Sequence, residues 1–219
     1  MRDGLGGAVW EDQAMTAQVE WLEIAGEHDI WRSLGLVVAD DGLVPLIGTS
    51  LRIVDTDASG IVSWALSGVE AALDGTAIDG LLTRVVDPLG PIFAPHPIAA
   101  AGLDHVVVMT ADLDRTTGAI TRATDCELKR VREAGAMRQG FHRIGSGGLI
   151  VEVVERPEVR DGPSTFWGLV INVEDLDAAC DHIGHEMISA PKDAVQPGRR
   201  IATVRSELGL GLPIALMTP

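Results

Sequence analysis

The chain repeats itself, and this repeat constrains the fold more than any other feature of the sequence. Residues 104–114 read DHVVVMTADLD, and residues 167–177, which lie 63 positions later, read WGLVINVEDLD. The same offset aligns 141–154 with 204–217 without a gap. Because one offset relates two separated pairs of segments, we infer a tandem duplication of one structural unit.

Each copy follows one order of elements. A β-rich run (103–110 and 166–173) leads into Asp-Leu-Asp, whose first acid is suited to cap a helix. Helices are predicted over 112–123 and 175–184, and further strands follow, joined in the first copy by a glycine-rich turn at Gly145–Gly148. The unit is therefore a β-α-β-β-β module, and the predicted fold class is α+β.

A proline-rich stretch divides the chain. Residues 88–102 contain four prolines, which break helices and cannot donate to a sheet ladder, so we predict an extended connector there. Residues 1–17 are expected to form a flexible leader. Residues 18–87 are interpreted as a shortened, degenerate half with the first and second modules, of which the second is cut down. Residues 103–219 contain the two complete modules, the third and the fourth.

Charge and cysteine content exclude several classes of protein. The chain has 17 Lys and Arg against 32 Asp and Glu, a formal net charge of −15 that repels nucleic acid and anionic lipid. No run of about 18 uncharged apolar residues is present to span a bilayer. Two cysteines are too few for a disulfide scaffold, which favours a reducing cytoplasm. The expected partner is a small molecule.

These motifs resemble those of the vicinal-oxygen-chelate superfamily, which includes glyoxalases, bleomycin-resistance proteins and extradiol dioxygenases. The likeness rests on DHVVVMTADLD, on the closing strand GGLIVEVVE and on the repeat, and it is better over 103–218 than over 18–87. It implies that βαβββ modules pair into cupped mixed sheets that enclose the active site. For metal-dependent members, it also implies a His on the first strand and a Glu on the last strand of each module.

The resemblance transfers only half of that ligand set. His105 occupies the first-strand position and Glu152 the closing-strand position, whereas the positions 63 residues later hold Gly168 and Ala215, which cannot bind a metal. The missing ligands disfavour a divalent metal, and no cofactor is predicted. One alternative restores the set: a homodimer pairing its third modules would combine His105 and Glu152 from both chains.

Strand alternation predicts which side chains accompany Glu152 in the cup. A four-residue turn places Glu152 opposite Phe141 and Ile150 opposite Arg143. Phe141, Arg143 and Glu152 would then share the cup face, with His142 on the other side.

Glu152 is also the best candidate for a catalytic group. It interrupts the apolar run 149–154, where a carboxylate either faces a cavity or carries a desolvation cost. Such a group could act as general base on a carbon acid, with His105 as the second catalytic residue, a polar group that orients the substrate.

Two groups of basic residues occupy equivalent stretches of the two copies. The first group is Lys129, Arg130, Arg132, Arg138 and Arg143, and the second is Lys192, Arg199, Arg200 and Arg205. We predict that they converge at the cup mouth and hold a carboxylate or phosphate, the alternative being that they pair with surface acids. The predicted substrate-binding residues are Phe141, Arg138, Arg143, Lys192, Arg199 and Arg200.

Three functional classes fit these observations. The first is a lyase or isomerase acting on a small, anionic, oxygenated metabolite, with a degenerate metal site. The second is a protein that binds and sequesters a small molecule without chemistry, as in the drug-resistance branch of the superfamily. The third is a structural protein whose cup is filled by side chains.

Overall fold

The structure, a computed structural model, describes residues 16–145, 148–159 and 161–219; the predicted leader lies almost wholly outside them. Its strands are β1 (Gln18–Ala25), β2 (Leu43–Val44), β3 (Ser50–Val54), β4 (Gly60–Ser67), β5 (Ala77–Ile78), β6 (Leu81–Val85), β7 (Ala100–Thr110), β8 (Leu128–Ala134), β9 (Met137–Ile144), β10 (Leu149–Glu155), β11 (Thr165–Val173), β12 (Lys192–Asp193), β13 (Arg200–Thr203) and β14 (Ile214–Met217). Its helices are α1 (His28–Ser33), α2 (Leu113–Thr124) and α3 (Leu176–Ile183), with 3₁₀ turns at Ala71–Leu73 and Ser206–Leu208.

The strands form two mixed sheets, one from each half of the chain. The first has the order β2-β3-β1-β4-β6-β5, and the second has the order β12-β13-β14-β11-β7-β10-β9-β8. In each sheet two modules meet through antiparallel first strands, β1 with β4 and β7 with β11. Residues 86–99, all of which the structure describes, contain no strand or helix. The division at 88–102 stays our proposal, and the predicted α+β class with repeated βαβββ modules and cupped mixed sheets is confirmed.

The two modules of the N-terminal half are both abbreviated. The first has helix α1 and only two later strands, β2 and β3, one fewer than a complete βαβββ module. The second has the 3₁₀ turn Ala71–Leu73 where the later modules have a helix. Among the described helices, none combines the length and hydropathy needed to cross a bilayer.

The 63-residue duplication is visible in the hydrogen-bonded ladders. Val107 of β7 pairs with Glu152 of β10, and the residues 63 positions later, Val170 and Ala215, pair in β11 and β14. Across the junction of the two modules, His105 pairs with Val170. The repeat in the sequence is therefore repeated in the pairing of the first and last strands of each module, whereas β13 pairs with β14 one residue out of the register of β9 with β10.

Capping acids begin the equivalent helices at equivalent places. Asp112 accepts a hydrogen bond from the Arg115 amide at 2.9 Å, and Asp175 accepts one from the Ala178 amide at 3.0 Å. Each carboxylate satisfies one of the free amides of the first turn and complements the helix dipole. The predicted helix starts are confirmed.

Side-chain alternation gives the C-terminal sheet a core face and a concave face. On β10, Leu149, Val151 and Val153 are buried in the main hydrophobic core, to which α2 also contributes. Ile150 and Glu152 are only partly buried and point to the opposite face, because successive side chains on a strand alternate. This concave face is the one available for a site.

The N-terminal half buttresses the C-terminal half. Trp64 of β4 meets Phe166 of β11 edge-on, with ring centroids 5.7 Å apart. Asp79 accepts a hydrogen bond from Nε of Arg115 at 2.8 Å, and its carbonyl accepts one from the Ser164 amide, also at 2.8 Å. These contacts fix the start of α2, which follows β7 in the chain, and the residue before β11, which pairs with β7.

Candidate functional site

Two adjacent polar side chains, Asp104 and His105, reach the concave face because strand β7 contains a β-bulge. His105 pairs with Val170 of β11, whereas the next ladder pair joins Leu103 to Ile171 and skips Asp104. A bulge re-aims the side chains of the bulged strand, so two neighbours can share a face. Nδ1 of His105 lies 2.7 Å from Oδ2 of Asp104. The carboxylate therefore orients the imidazole and leaves Nε2 facing the cavity.

Glu152 lies beside Asp104 and His105, and we call these three side chains the polar floor. Its Oε2 lies 3.5 Å from Nε2 of His105, and its Oε1 accepts a hydrogen bond from Nε2 of Gln139. The side chains of His105 and Glu152 are 16% and 15% exposed, enough for a bound ligand to reach them. Positions 105 and 152 therefore face the same cavity.

Arg199, directly before β13, connects the fourth module to the floor. Its Nη2 lies 2.7 Å from Oδ1 of Asp104 and 2.8 Å from Oδ1 of Asn172, and its Nε donates to the carbonyl of Thr218. Burial alone would raise the pKa of Asp104, but the hydrogen bonds from His105 and Arg199 hold it below its ordinary value. Asp104 is therefore an ionised group with a partner on each oxygen.

Above this floor lies a cavity of about 650 Å³, within the usual size range of small-molecule sites. Phe141 pairs with Glu152 and Arg143 with Ile150, so the predicted register of β9 against β10 is confirmed. All four of these residues line the cavity. Residues 195–197, in the loop between β12 and β13, line it from the fourth module.

A second bulge supplies the cationic wall of the cavity. The register of β8 against β9 shifts between Leu128 and Arg130, so that Lys129 is skipped and lines the cavity together with Arg130. Arg130 pairs with Phe141, and its guanidinium carbon lies 5.9 Å from the centroid of that ring. Arg132, two positions further along β8, lines the cavity as well.

The structure brings together some of the predicted site residues and separates others. His105, Phe141, Arg143 and Glu152 line the cavity. Arg199 does not line it but contacts Asp104, which does. Four predicted residues do not line it: Arg138, Lys192, Arg199 and Arg200. Arg138 pairs with Asp114 and Glu155, and Arg200 pairs with Asp177 at 2.6 Å. The two basic groups thus do not converge as predicted, because Arg199 pairs with Asp104, Arg200 pairs with Asp177 and Lys192 lies exposed on β12.

Site prediction from the sequence missed Asp104 and Gln139. Gln139 could have been found, because it lies two positions before Phe141 and strand alternation puts both on one face. Asp104 could not, because simple alternation assigns it to the face opposite His105. The bulge that reverses this depends on the pairing of β7 with β11.

The side chains at the cavity do not supply the His and Glu from each module that the resemblance implies for a metal centre. Within the described residues, no group of three or more His, Cys, Asp or Glu side chains is arranged to hold a metal ion. The position equivalent to His105 is also closed: a Cβ at Gly168 would lie 2.5 Å from the carbonyl oxygen of Pro213. A ligating side chain at position 168 would therefore collide with Pro213, the residue directly before β14.

The module order, the paired first strands and the cup define the vicinal-oxygen-chelate, or glyoxalase-like, fold. A mutant form of 4-hydroxymandelate synthase from Streptomyces coelicolor superposes with a TM-score of 0.63 at 14% identity, over 93% of this chain and 92% of that one. Methylmalonyl-CoA epimerase from Mycobacterium tuberculosis matches 58% of this chain and 93% of its own, with a TM-score of 0.47 at 18% identity. No family model and no curated protein sequence matches the chain. The fold implied by the resemblance is confirmed.

Proposed function

We propose that the protein binds a small, anionic, oxygenated metabolite in the cavity and catalyses proton transfer on it, as an isomerase or lyase. The observation that carries this proposal is the chain of polar contacts from Asp104 through His105 to Glu152, placed on the floor of a cavity with a cationic wall. Acids and bases held in a ligand-sized cavity are the groups that acid–base catalysis requires.

Glu152 is the proposed base, and the arrangement lets it act without a metal. Its carboxylate removes a proton from carbon next to a carbonyl, and the electron pair of the C–H bond moves toward the carbonyl oxygen. In an isomerase the proton returns to carbon, whereas in a lyase the electron pair expels a leaving group. Gln139 and His105 hold the carboxylate in place, and the positive electrostatic potential of the cavity favours the developing oxyanion.

The test is a metabolite screen with product detection, using the wild-type protein and Glu152→Gln. We expect the variant to lose turnover by about 10²–10⁴-fold, the usual contribution of general acid–base catalysis, while it still binds the substrate. Glu186→Gln, which changes an exposed glutamate, is the matched control and should keep full activity. Full turnover by Glu152→Gln would remove Glu152 from its role.

Sequestration of a small molecule without chemistry is the second candidate. It is favoured by the fourth module, whose concave wall is a small apolar cluster of Val170, Ala215 and Met217 instead of a second set of polar groups. A ligand that binds tightly and is recovered unchanged from both wild-type protein and Glu152→Gln would support this function over catalysis.

A further inference from the structure

The cavity carries a surplus of positive charge on one wall. Its lining contains four cationic side chains, which we call the basic wall: Lys129, Arg130, Arg132 and Arg143. Two carboxylates, Asp104 and Glu152, also line the cavity, and Asp104 is already paired with Arg199. The basic wall therefore exceeds the negative charge that the described residues bring into the cavity.

The basic wall is not neutralised by its surroundings. Among the described residues, no carboxylate lies within 4.0 Å of the guanidinium groups of Arg130, Arg132 and Arg143. Arg143 donates to the carbonyl of Gly148, and Lys129 has only an exposed contact with a glutamate at 3.8 Å. In a chain with a net charge of −15, these three exposed arginines, without an acid partner in the described part of the chain, leave the basic wall free to bind an anion.

The strand register places Arg130 of the basic wall two strands away from the proposed base. Glu152, Phe141 and Arg130 form one row across β10, β9 and β8. Adjacent strands lie about 4.8 Å apart, so the Cα atoms of Glu152 and Arg130 are about 10 Å apart. The Arg130 guanidinium lies 5.9 Å from the centroid of the Phe141 ring, so a ligand that contacts both Arg130 and Glu152 lies beside this ring.

We propose that the metabolite carries a phosphate group, which the basic wall binds while its carbon-acid end lies beside Glu152. This inference rests on the proposed function and names the substrate class of the same site. Phosphate offers up to two negative charges and three acceptor oxygens, which match several guanidinium forks, whereas a carboxylate offers one charge and two oxygens. Four cations on two adjacent strands fit the phosphate.

The experiment is calorimetric titration of the full-length protein with glycerol 3-phosphate and with malate, two hydroxylated ligands of similar size and charge. We expect glycerol 3-phosphate to bind at least about tenfold more tightly than malate. The double variant Arg130→Gln/Arg132→Gln should lose about tenfold or more of the affinity for glycerol 3-phosphate. The control Arg138→Gln/Arg200→Gln removes two arginines outside the cavity and should keep that affinity.

Three results would overturn the phosphate assignment. These are equal binding of malate, an equal loss of affinity in the control double variant, and no detectable binding of glycerol 3-phosphate at millimolar concentration. The proposed catalysis fails separately: Glu152→Gln should still bind glycerol 3-phosphate. A substrate without phosphate whose turnover requires Glu152 would refute the phosphate assignment alone. Phosphate binding through the basic wall without any Glu152-dependent turnover would refute the catalysis alone.

Discussion

Two residues of the fourth module, Gly168 and Ala215, mark where the duplicated copies diverge in chemistry. Their counterparts, His105 and Glu152, are the polar groups of the floor. The first and last strands pair in the same register in the two copies, so the difference at these positions lies in the side chains and in the space around them. At position 168 the backbone approaches Pro213 so closely that only glycine fits.

The close approach at Gly168 gives a stability prediction. Gly168→Ala should lower the free energy of unfolding by about 1–3 kcal/mol, because the added Cβ overpacks against the Pro213 carbonyl. Gly118→Ala is the matched control: Gly118 lies within α2, and its added Cβ meets only the end of the flexible Arg122 side chain, at 3.3 Å. This control should be neutral or stabilising by up to about 1 kcal/mol. Urea unfolding measures both, and equal stability of Gly168→Ala and wild type would contradict the steric argument.

At the scale of elements, strand alternation and bulges together decide which side chains enter the cup. Alternation along β9 alone correctly predicts the faces of Phe141, Arg143 and His142. The bulges in β7 and β8 then add Asp104 and Lys129, which alternation alone places elsewhere. His142, on the core side of β9, is 1% exposed and contacts the Cys126 carbonyl through Nδ1.

The buried histidines predict a pH dependence of stability. Burial lowers the pKa of His142 below its ordinary value of 6.5, and burial does the same to His96. Between the lowered pKa and 6.5 the unfolded chain binds more protons than the folded one, so stability rises with pH in that window. This stabilisation is fully present above about pH 6.5 and is lost as the pH falls through the folded pKa.

Urea unfolding at several pH values from about 5 to 8 tests this dependence. His142→Gln, which keeps a donor for the Cys126 carbonyl, should reduce the slope of stability against pH but not abolish it, because His96 contributes with the same sign. His185→Gln alters a histidine that is 75% exposed and should leave the slope unchanged. An unchanged slope in His142→Gln would contradict the assignment.

At the scale of the whole molecule, the two halves share one hydrophobic core but differ in what their sheets offer. The main cluster contains side chains of both halves, including Trp31 and Trp64 from the N-terminal one. The cavity with the Asp104, His105 and Glu152 floor belongs to the C-terminal sheet alone. We therefore infer that the N-terminal half stabilises the cup and that the C-terminal half carries the site.

The closed position at Gly168 predicts a protein that works without a bound metal. Elemental analysis of the purified protein should find substoichiometric Zn, Ni, Mn and Fe, and a chelator should leave the melting temperature unchanged. Stoichiometric metal, lost together with several degrees of melting temperature on chelation, would contradict this prediction. If that metal occurred in a homodimer, it would support the alternative site that combines His105 and Glu152 from two chains.

Much of the fold was predictable because its signals are local. Asp112 and Asp175 cap helices wherever those helices pack, and the period of two along β9 sorts its side chains without reference to other strands. The basic groups were less predictable, because nothing within the sequence around Arg138 or Arg200 shows that Asp114 and Asp177 fold against them. Ion pairs between distant elements depend on how the elements pack.

By itself, the sequence determined the order of elements, the duplication, the helix starts and the candidate pair His105 and Glu152, since these follow from short-range patterns and one constant offset. Only the tertiary structure decided that Asp104 joins this pair and that the β8 cations face the cavity. The physical reason is that a bulge forms between two strands: which residue is skipped depends on the partner strand, and the side-chain pattern of one strand does not contain that information.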